Sequence, residues 1–337
     1  MQIFDVDRCL TIEAGALALA PAIHEVAGHC ISAGLRNVFF LGTGGAALLM
    51  APAVRLLERR SGLPVHTAVT AELVLSGHAA LGEGSLVVVP SVSGTTKESI
   101  AALDHARGKG ATILALVGHA DTPIGQKADH RLVNFAADDT APESLYIQSL
   151  LLALSLMAHR GEYPAYEQTV AELSGLPQHL VAAKQMFEPE ARRLVSQLAK
   201  DDWHIITAAG GSWPQAQYFG MCVLEEQQWI RTRPVHAVDF FHGTFELVDD
   251  RTSVIILHGE DETRPLTMRV EAFANTHAGK VSVIDAASFE LPGVSRETRA
   301  LVSPILLASV LERLTAHLAQ ARNHPLDTRR YYKKLAY

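Results

Sequence analysis

A loop rich in hydroxyl side chains is the part of the sequence best suited to bind an anion. In residues 91–96, Ser91, Ser93 and Thr96 surround Gly94, between an apolar run typical of a buried strand and a helical pattern. Three hydroxyls and the backbone N–H groups of a glycine turn can converge on one anion at the positive end of the helix dipole, and phosphate is the obvious candidate. Capping of the helix by Thr96 or the threonine before it, with the serines as turn formers, explains the loop equally well.

A second loop, rich in glycine, also follows an apolar strand. The strand at residues 37–41 leads into Gly42, Gly44 and Gly45, and a helical segment follows. This has the form of a dinucleotide-binding fingerprint, but a tight glycine turn suits a sugar phosphate as well as a pyrophosphate. Glu72, after the next predicted strand, can bind ribose or another sugar's hydroxyls, and it equally fits an acid that stabilises a helix N-terminus.

These loops belong to a regular alternation of strands and helices. In the first half, strands are predicted at residues 37–41, 64–69, 85–89, 111–117 and 130–135, with helices between them and a long helix at 143–159. The order recurs from Pro177 onward, with strands at residues 203–207, 234–238, 253–258 and 280–285. Such alternation is typical of parallel sheets covered by helices on both faces, so the sequence predicts an α/β protein with two similar halves.

The repeat predicts three parts of the chain. The first domain, with an N-terminal helix, covers residues 1–176, the second covers 177–322, and a C-terminal tail covers 323–337. The tail is polar, basic and aromatic, so we expect it to pack on the protein and supply charge rather than fray.

Composition narrows the function classes. The 337 residues are 48% hydrophobic, enough for a real core, and carry a net charge of −7 with the basic residues scattered singly or in pairs. Such a distribution provides no basic patch that would bind nucleic acid or an anionic membrane surface. The N-terminus has no basic leader, and apolar stretches such as residues 147–158 are short and polar for a membrane span. We therefore predict a cytoplasmic protein.

The thiols and the one histidine pair that resembles a metal motif do not predict a metal site. Cys9, Cys30 and Cys222 are widely spaced and fit buried thiols in a reducing compartment. His24 and His29 flank a glutamate as in zinc proteases, but they are five residues apart and do not share a helix face. We predict no metal.

The duplicated sheet and the Ser91-Val92-Ser93-Gly94-Thr95-Thr96 turn resemble the sugar isomerase (SIS) domain family, which carries a Ser-x-Ser-Gly-x-Thr phosphate loop. The resemblance covers nearly the whole chain and implies two SIS domains in tandem. It implies that the three hydroxyl side chains named above hold a sugar phosphate and that the backbone at Gly44 and Gly45 completes the cradle. Ala46 departs from the relatives, in which a serine often ends the glycine loop, so one expected phosphate contact is missing.

Glu226 and His242 lie sixteen positions apart, a spacing similar to that in the isomerase domain of glucosamine-6-phosphate synthase. There the matching glutamate moves a proton between the first two sugar carbons, and the matching histidine, from the neighbouring subunit, opens the ring. The resemblance implies catalytic roles for both residues in a homodimer. A tail lysine completes that site; Lys333 is the best positional match and Lys334 the alternative. Without the resemblance, Glu226 fits an exposed helix acid like Glu225, and His242 fits a turn residue.

The segment at residues 323–332 looks most like that of deglycases that act on phosphorylated Amadori compounds. The resemblance implies a cofactor-free deglycase that splits a 6-phosphorylated fructosamine, an amino-acid conjugate, into glucose 6-phosphate and the free amine. That reaction needs a base that removes a proton from C1 and an acid that returns one to C2, and one carboxylate can do both.

Other functions fit parts of the same pattern. A ketose/aldose isomerase or deaminase of amino-sugar phosphates shares the fold and the phosphate loop. A non-catalytic sugar-phosphate sensor is the alternative from a different class, but the sequence shows no helix-turn-helix and no basic patch for DNA. A nicotinamide enzyme ranks last, because the loop at residues 91–96 has no place in it.

Overall fold

The computed structural model describes residues 4–135, 142–201, 203–332 and 334–335. They form two compact units. The first is Val6–Pro177, and the second runs from Gln178 onward and takes in the N-terminal residues Phe4 and Asp5. Each unit contains one parallel sheet with helices packed on it, so the predicted α/β class is confirmed.

The first unit alternates strands and helices as the sequence predicts. Its elements are α1 (Val6–Ala18), α2 (Ala20–Ser32), β1 (Asn37–Gly42), α3 (Gly45–Arg60), β2 (Val65–Val69), α4 (Thr70–Ser76), β3 (Ser85–Ser91), α5 (Lys97–Gly108), β4 (Thr112–Val117), α6 (Pro123–Lys127), β5 (His130–Val133), α7 (Pro142–His159) and α8 (Tyr166–Leu173).

The five strands of this unit are parallel in the order β2-β1-β3-β4-β5. All seven residues of the central strand β3 are buried, as expected for a strand covered on both faces. Alternate residues of β1, β3 and β4 pack against Ala102, Leu103 and Ala106 of α5. The predicted strand ended at residue 89, before Pro90, but β3 continues to Ser91, and Pro90 pairs in register with Leu116.

The second unit repeats the plan with four strands. Its elements are α9 (Leu176–Leu198), which begins at the end of the first unit, β6 (Trp203–Ala208), α10 (Trp213–Tyr218), α11 (Glu226–Gln228), β7 (Arg231–His236), β8 (Ser253–His258), α12 (Arg264–His277), β9 (Lys280–Asp285) and α13 (Arg296–Ala321). The strand order β7-β6-β8-β9 matches that of the first four strands of the other sheet.

Two elements of the second unit begin earlier than the sequence predicts, and each has a proline inside it. β7 was expected from residue 234 but begins at Arg231, and Pro234 lies within it, which an edge strand tolerates. For the last helix the sequence predicts residues 304–321, but α13 begins at Arg296, where the side chain of Ser295 accepts a hydrogen bond from the backbone N–H of Thr298. A serine cap therefore sets the start of α13.

The sequence predicts one helix from the glycine loop at residues 210–211 to Trp229, but the structure shows a composite helix. It starts as a 3₁₀ turn (Gly210–Ser212), continues as α10, widens to a π-helical segment (Phe219–Glu225) and closes with the single turn of α11. π-helical turns are uncommon and occur frequently at functional sites.

In the part of the chain that the structure describes, two helical segments have the length and hydropathy of a membrane span, whereas the sequence led us to expect none. They are Val6–Ser32, with 28% of its most apolar window buried, and Arg296–Ala321, with 83% buried. By length and composition alone this is weak evidence, because the buried core helix of a soluble protein and a signal sequence near the N-terminus pass the same test. The burial of Arg296–Ala321 is that of a core helix.

Candidate functional site

The glycine loop of the first unit leaves open space where β1 ends. Gly44 has a φ of +61° and precedes α3, and a Cβ built on it would meet nothing within 4 Å. A Cβ on Gly42 would lie 2.9 Å from the backbone of Ala47, so this turn is tight on the side of the helix. The loop thus exposes the backbone at Gly44 and Gly45 to a ligand at the N-terminus of α3.

The hydroxyl loop at residues 91–96 is shaped by an internal turn. Ser91 is buried at the end of β3, and its Oγ accepts a hydrogen bond of 3.1 Å from the backbone N–H of Gly94. Ser93 and Thr96 are exposed. Thr96 occupies the N-cap position of α5, but its side chain makes no capping hydrogen bond. Thr95 donates its hydroxyl to Ser93 Oγ at 3.3 Å. The capping explanation therefore does not hold for Thr96.

The two loops lie at the same edge of the sheet. β1 and β3 are direct parallel neighbours, with Phe40 opposite Val88, so the loops that follow them emerge side by side. Carboxyl ends of parallel strands are the usual ligand-binding edge of such sheets.

Thr122, in the loop after β4, supports the hydroxyl loop, and the sequence analysis did not identify it. A Cβ on Gly94, whose φ is +63°, would lie 2.0 Å from Thr122 Oγ1. The carbonyl of Gly94 accepts a hydrogen bond from the backbone N–H of Ile124 at 3.1 Å. Only proximity in the fold reveals this role, since no motif marks the residue.

Glu72 lies exposed in the first turn of α4. The first residue of that helix, Thr70, shares a hydrogen bond of 2.7 Å with Thr43 of the glycine loop. The structure therefore places the helix that carries Glu72 beside the glycine loop.

In the second unit, Glu226 opens into a cavity formed with the C-terminal tail. Its carboxylate oxygen Oε1 accepts a hydrogen bond of 3.0 Å from Nε of Arg329, and the two side chains are 37% and 16% exposed. The cavity has a volume of about 630 Å³. It is lined by Glu225, Glu226, Trp229, Ile230, Arg231, Thr232, Arg329, Arg330, Tyr331 and Tyr332.

The tail packs on the end of the composite helix. Trp229 has a φ of +56°, rare for a bulky residue, and this left-handed conformation ends α11. The guanidinium of Arg330 lies 3.9 Å from the centre of the Trp229 ring, and the ring of His324 lies edge-on at 4.4 Å. Burial, and then the positive charges of Arg322 and the nearby tail arginines, lower the pKa of His324, which favours a neutral ring.

The adjacent carboxylates of Glu225 and Glu226 have different partners. Glu225 Oε1 accepts hydrogen bonds from the hydroxyl and the backbone N–H of Thr232, which tie it to β7. Burial, followed by the charges of Glu226 and Glu225, raises the pKa of the Cys222 thiol to about 12, so the thiol stays protonated. Glu226 is thus the carboxylate of the pair that the local fold does not hold to a strand.

The structure does not bring every predicted site residue into this cavity. His242 is exposed after the 3₁₀ turn Asp239–Phe241 and is not among the residues that line the cavity. Lys333 lies outside the described residues. Lys334 donates a hydrogen bond to the backbone carbonyl of Arg329. The tail residue that contacts Glu226 is Arg329, which the sequence analysis missed, although it expected the tail to supply charge.

The glycine loop of the second unit differs from that of the first, because a side chain fills it. Gly210 has a φ of +58°, close to that of Gly44, but a Cβ on it would lie 2.3 Å from Asp261 Oδ2. That oxygen accepts a hydrogen bond of 2.8 Å from the backbone N–H of Gly211. The other oxygen accepts from the backbone N–H of Thr263 at 2.9 Å and from its hydroxyl.

Among the described residues, no group of three or more histidine, cysteine, aspartate or glutamate side chains is arranged to hold a metal ion. The sites described above present backbone N–H groups, hydroxyls, a carboxylate and guanidinium groups.

The fold defines an α/β protein with glycine-rich and hydroxyl-rich loops at the carboxyl ends of parallel strands, the edge at which such sheets usually bind ligands. A family model for the SIS domain matches residues 33–159. The chain is 32% identical to fructosamine deglycase FrlB of Bacillus subtilis (strain 168), over 89% of this chain and 92% of that protein. It therefore belongs to the SIS domain family, among relatives that include this deglycase.

Two further comparisons agree. The chain is 27% identical to fructoselysine 6-phosphate deglycase of Escherichia coli (strain K12), over 93% of this chain and 90% of that protein. The crystal structure of a proposed phosphosugar isomerase from Bacillus subtilis matches with a TM-score of 0.88 and 29% identity, and covers 96% of this chain and 99% of that one.

Proposed function

We propose that this protein is a deglycase that cleaves a 6-phosphorylated fructosamine into glucose 6-phosphate and a free amine. The similarity to fructosamine deglycase FrlB, which extends over nearly the full length of both chains, supports the reaction class. The observation that carries the mechanism is the carboxylate of Glu226, partly exposed in a cavity of about 630 Å³.

In the proposed reaction, Glu226 acts first as base and then as acid. As base it removes a proton from C1 of the ketosamine; the electrons form the C1–C2 double bond, the C2–O π bond opens, and the oxygen takes a proton from water to give an enaminol. As acid it returns the proton to C2, while the nitrogen lone pair forms a double bond to C1, and the resulting iminium loses its N–H proton to water to give an imine. Water adds to C1 and the C–N bond breaks, which gives the aldehyde of glucose 6-phosphate and the amine. Proton transfer by a positioned side chain typically contributes a factor of about 10² to 10⁴.

We propose that the first unit binds the phosphate. The backbone N–H groups at Gly44 and Gly45 and the exposed hydroxyls of Ser93 and Thr96 face the same edge of the sheet, at the N-termini of α3 and α5. Ser91 is buried and holds the turn, so its contribution is to shape the loop.

The proposal also assigns roles to the second unit and to three further side chains. We propose that the second unit is a second SIS domain, since its strand order repeats that of the first. Glu72 binds a sugar hydroxyl beside the glycine loop. His242, exposed in its own subunit, opens the sugar ring in a partner subunit of a homodimer, and Lys333 of the tail completes that site.

The test uses the neighbouring glutamate as a matched control. Purified protein is incubated with a panel of 6-phosphofructosyl amino acids, and glucose 6-phosphate is assayed with an enzyme-coupled reaction. We expect release by the wild type and loss of about 10²-fold or more in kcat for Glu226→Gln, with a much smaller effect for Glu225→Gln.

Two outcomes would contradict the proposal. The reaction class is wrong if the wild type releases nothing from the whole panel, and turnover of glucosamine 6-phosphate instead would assign an isomerase or deaminase. The role of Glu226 is wrong if both glutamine variants keep wild-type kcat.

A further inference from the structure

Arg329 donates hydrogen bonds to two backbone carbonyls of the tail through Nη1 and to Glu226 through Nε. Its Nη1 donates to the backbone carbonyls of Leu326 at 2.5 Å and Thr328 at 3.1 Å, while its Nε donates to Glu226 Oε1 at 3.0 Å. The guanidinium is planar, so these three bonds fix the direction from which it meets the carboxylate.

The tail that carries Arg329 is itself fixed to the helix that carries Glu226. The side-chain Nε2 of Gln228 donates to the backbone carbonyl of His324 at 2.9 Å, and Nη2 of Arg322 donates to the carbonyl of Gln228 at 3.4 Å. Arg330 stacks on Trp229 at the end of the same helix. The contact of Arg329 with Glu226 is therefore one of several between the tail and this helix end, and not an isolated surface ion pair.

We infer that Arg329 is a positioning residue for Glu226, and this inference rests on the proposed function. The guanidinium holds Oε1, while Oε2 has no hydrogen bond to any residue that the structure describes. Oε2 is then the oxygen that exchanges a proton with the substrate. A carboxylate free to rotate would spend much of its time misdirected, and misplacement by 1 Å can cost about 10²-fold in rate.

The neighbouring acid shows why such a residue is needed. Glu225 is oriented by Thr232 of β7, within the fold of the second unit itself. Among the residues that the structure describes, the carboxylate of Glu226, one residue further on, is bonded to Arg329 of the tail and to no strand or helix. The tail thereby becomes part of the catalytic apparatus through Arg329, without itself having to touch the reacting carbons.

The kinetic test separates positioning from substrate binding. We expect Arg329→Ala to lower kcat by about 10- to 100-fold with KM changed by less than about threefold, and Arg329→Lys to recover part of the loss, because lysine keeps the charge but not the fixed geometry. Arg251→Ala is the control, because that side chain is 89% exposed, pairs only loosely with the exposed Asp250 at 3.8 Å, and does not line the cavity. A raised KM with unchanged kcat, or wild-type values for both constants, would overturn the inference.

A second measurement does not depend on turnover. Hydrogen exchange of the backbone amides at residues 322–332 is compared in the wild type, Arg329→Ala and Glu226→Ala. We expect faster exchange in both variants, because either change breaks the contact that helps to hold the tail. Equal exchange in all three proteins shows that the pair does not order the tail and overturns the inference, even if the wild type releases glucose 6-phosphate. An inactive wild type with faster exchange in the variants would instead refute the proposed reaction while retaining the pair.

Discussion

At the scale of single residues, Gly44 and Gly161 form a natural pair for separating backbone strain from ligand binding. Both have positive φ, +61° and +72°, and a Cβ on either would meet nothing within 4 Å. Only Gly44, with a ψ of −136°, precedes α3 and lies in the proposed phosphate cradle, so the two positions share the sign of φ but differ in surroundings.

We predict that Gly44→Ala and Gly161→Ala each destabilise the protein by about 1 kcal/mol or more, since each places a Cβ on a residue with positive φ, which L residues rarely adopt. Only Gly44→Ala should also raise KM for the sugar phosphate, by about tenfold, because its methyl group enters the space that the ligand occupies. Denaturant unfolding and steady-state kinetics measure the two effects. Equal KM values for the two variants would argue against a phosphate site at this loop.

The sequence predicts a functional residue when its role depends on its neighbours along the chain. It does not predict one whose role depends on a residue that only the fold brings near. The hydroxyl and glycine loops were identified because turns, helix N-termini and hydroxyls are local features. Thr122 and Arg329 were missed because each acts on a residue distant in sequence, 28 positions from Gly94 and 103 from Glu226. For Arg329 the only sequence signal was the basic character of the tail.

At the scale of elements, the π-helical segment Phe219–Glu225 sets the direction of Glu226. In a regular α-helix each residue turns the side-chain direction by 100° about the helix axis. In the wider π-helical segment each residue turns it by less, so the side chains that follow point in other directions than they would on a regular α-helix. The sequence predicted the strand and the helix at this place, but helical periodicity carries no signal for a single wide turn. The position of Glu226 on a helix was therefore predictable, and its orientation was not.

The strand β6 contains a histidine that makes the second unit sensitive to acid. His204 is fully buried, its Nδ1 lies 2.9 Å from Ser253 Oγ, and burial lowers its pKa from 6.5 to about 4. The ring is neutral in the folded protein, whereas the unfolded chain takes up a proton below about pH 6.5. Protonation therefore favours the unfolded state across this window.

We predict that His204 alone makes the protein about 2 kcal/mol less stable at pH 5 than at pH 7.5. In His204→Gln this part of the pH dependence should disappear, although the variant is less stable at neutral pH if glutamine packs less well. The exposed His277→Gln is the control and should keep the wild-type slope. Denaturant unfolding at the two pH values measures the difference, and parallel pH profiles for His204→Gln and the wild type would contradict the assignment.

At the scale of the whole molecule, the two units share a strand order but not an open cradle. The duplicated plan was predictable because strand and helix patterns repeat along the chain. The loss of one cradle was not, since it depends on Asp261 reaching a glycine 50 residues earlier. In the sequence, the stretch Glu260-Asp261-Glu262 resembles an ordinary acidic loop.

We predict that each chain binds one sugar phosphate and not two. The first unit leaves the space beside Gly44 open, while the second fills the corresponding space beside Gly210 with Asp261. Calorimetric titration of the wild type with glucose 6-phosphate should give a stoichiometry of one per chain, and Gly44→Ala should weaken that binding. Two equivalent sites per chain would contradict the structure of the second cradle.

The carboxylate of Asp261 acts as a competitor, tethered to the chain, of any free anion that could bind at the glycine loop of the second unit. Because this carboxylate is covalently part of the chain, its effective concentration at Gly211 is fixed. It does not depend on the phosphate concentration in the cell. The glycine loop of the second unit is thus held by a carboxylate of its own chain, whatever the concentration of free phosphate. Under the proposed function, the open glycine loop of the first unit is the one left to bind substrate.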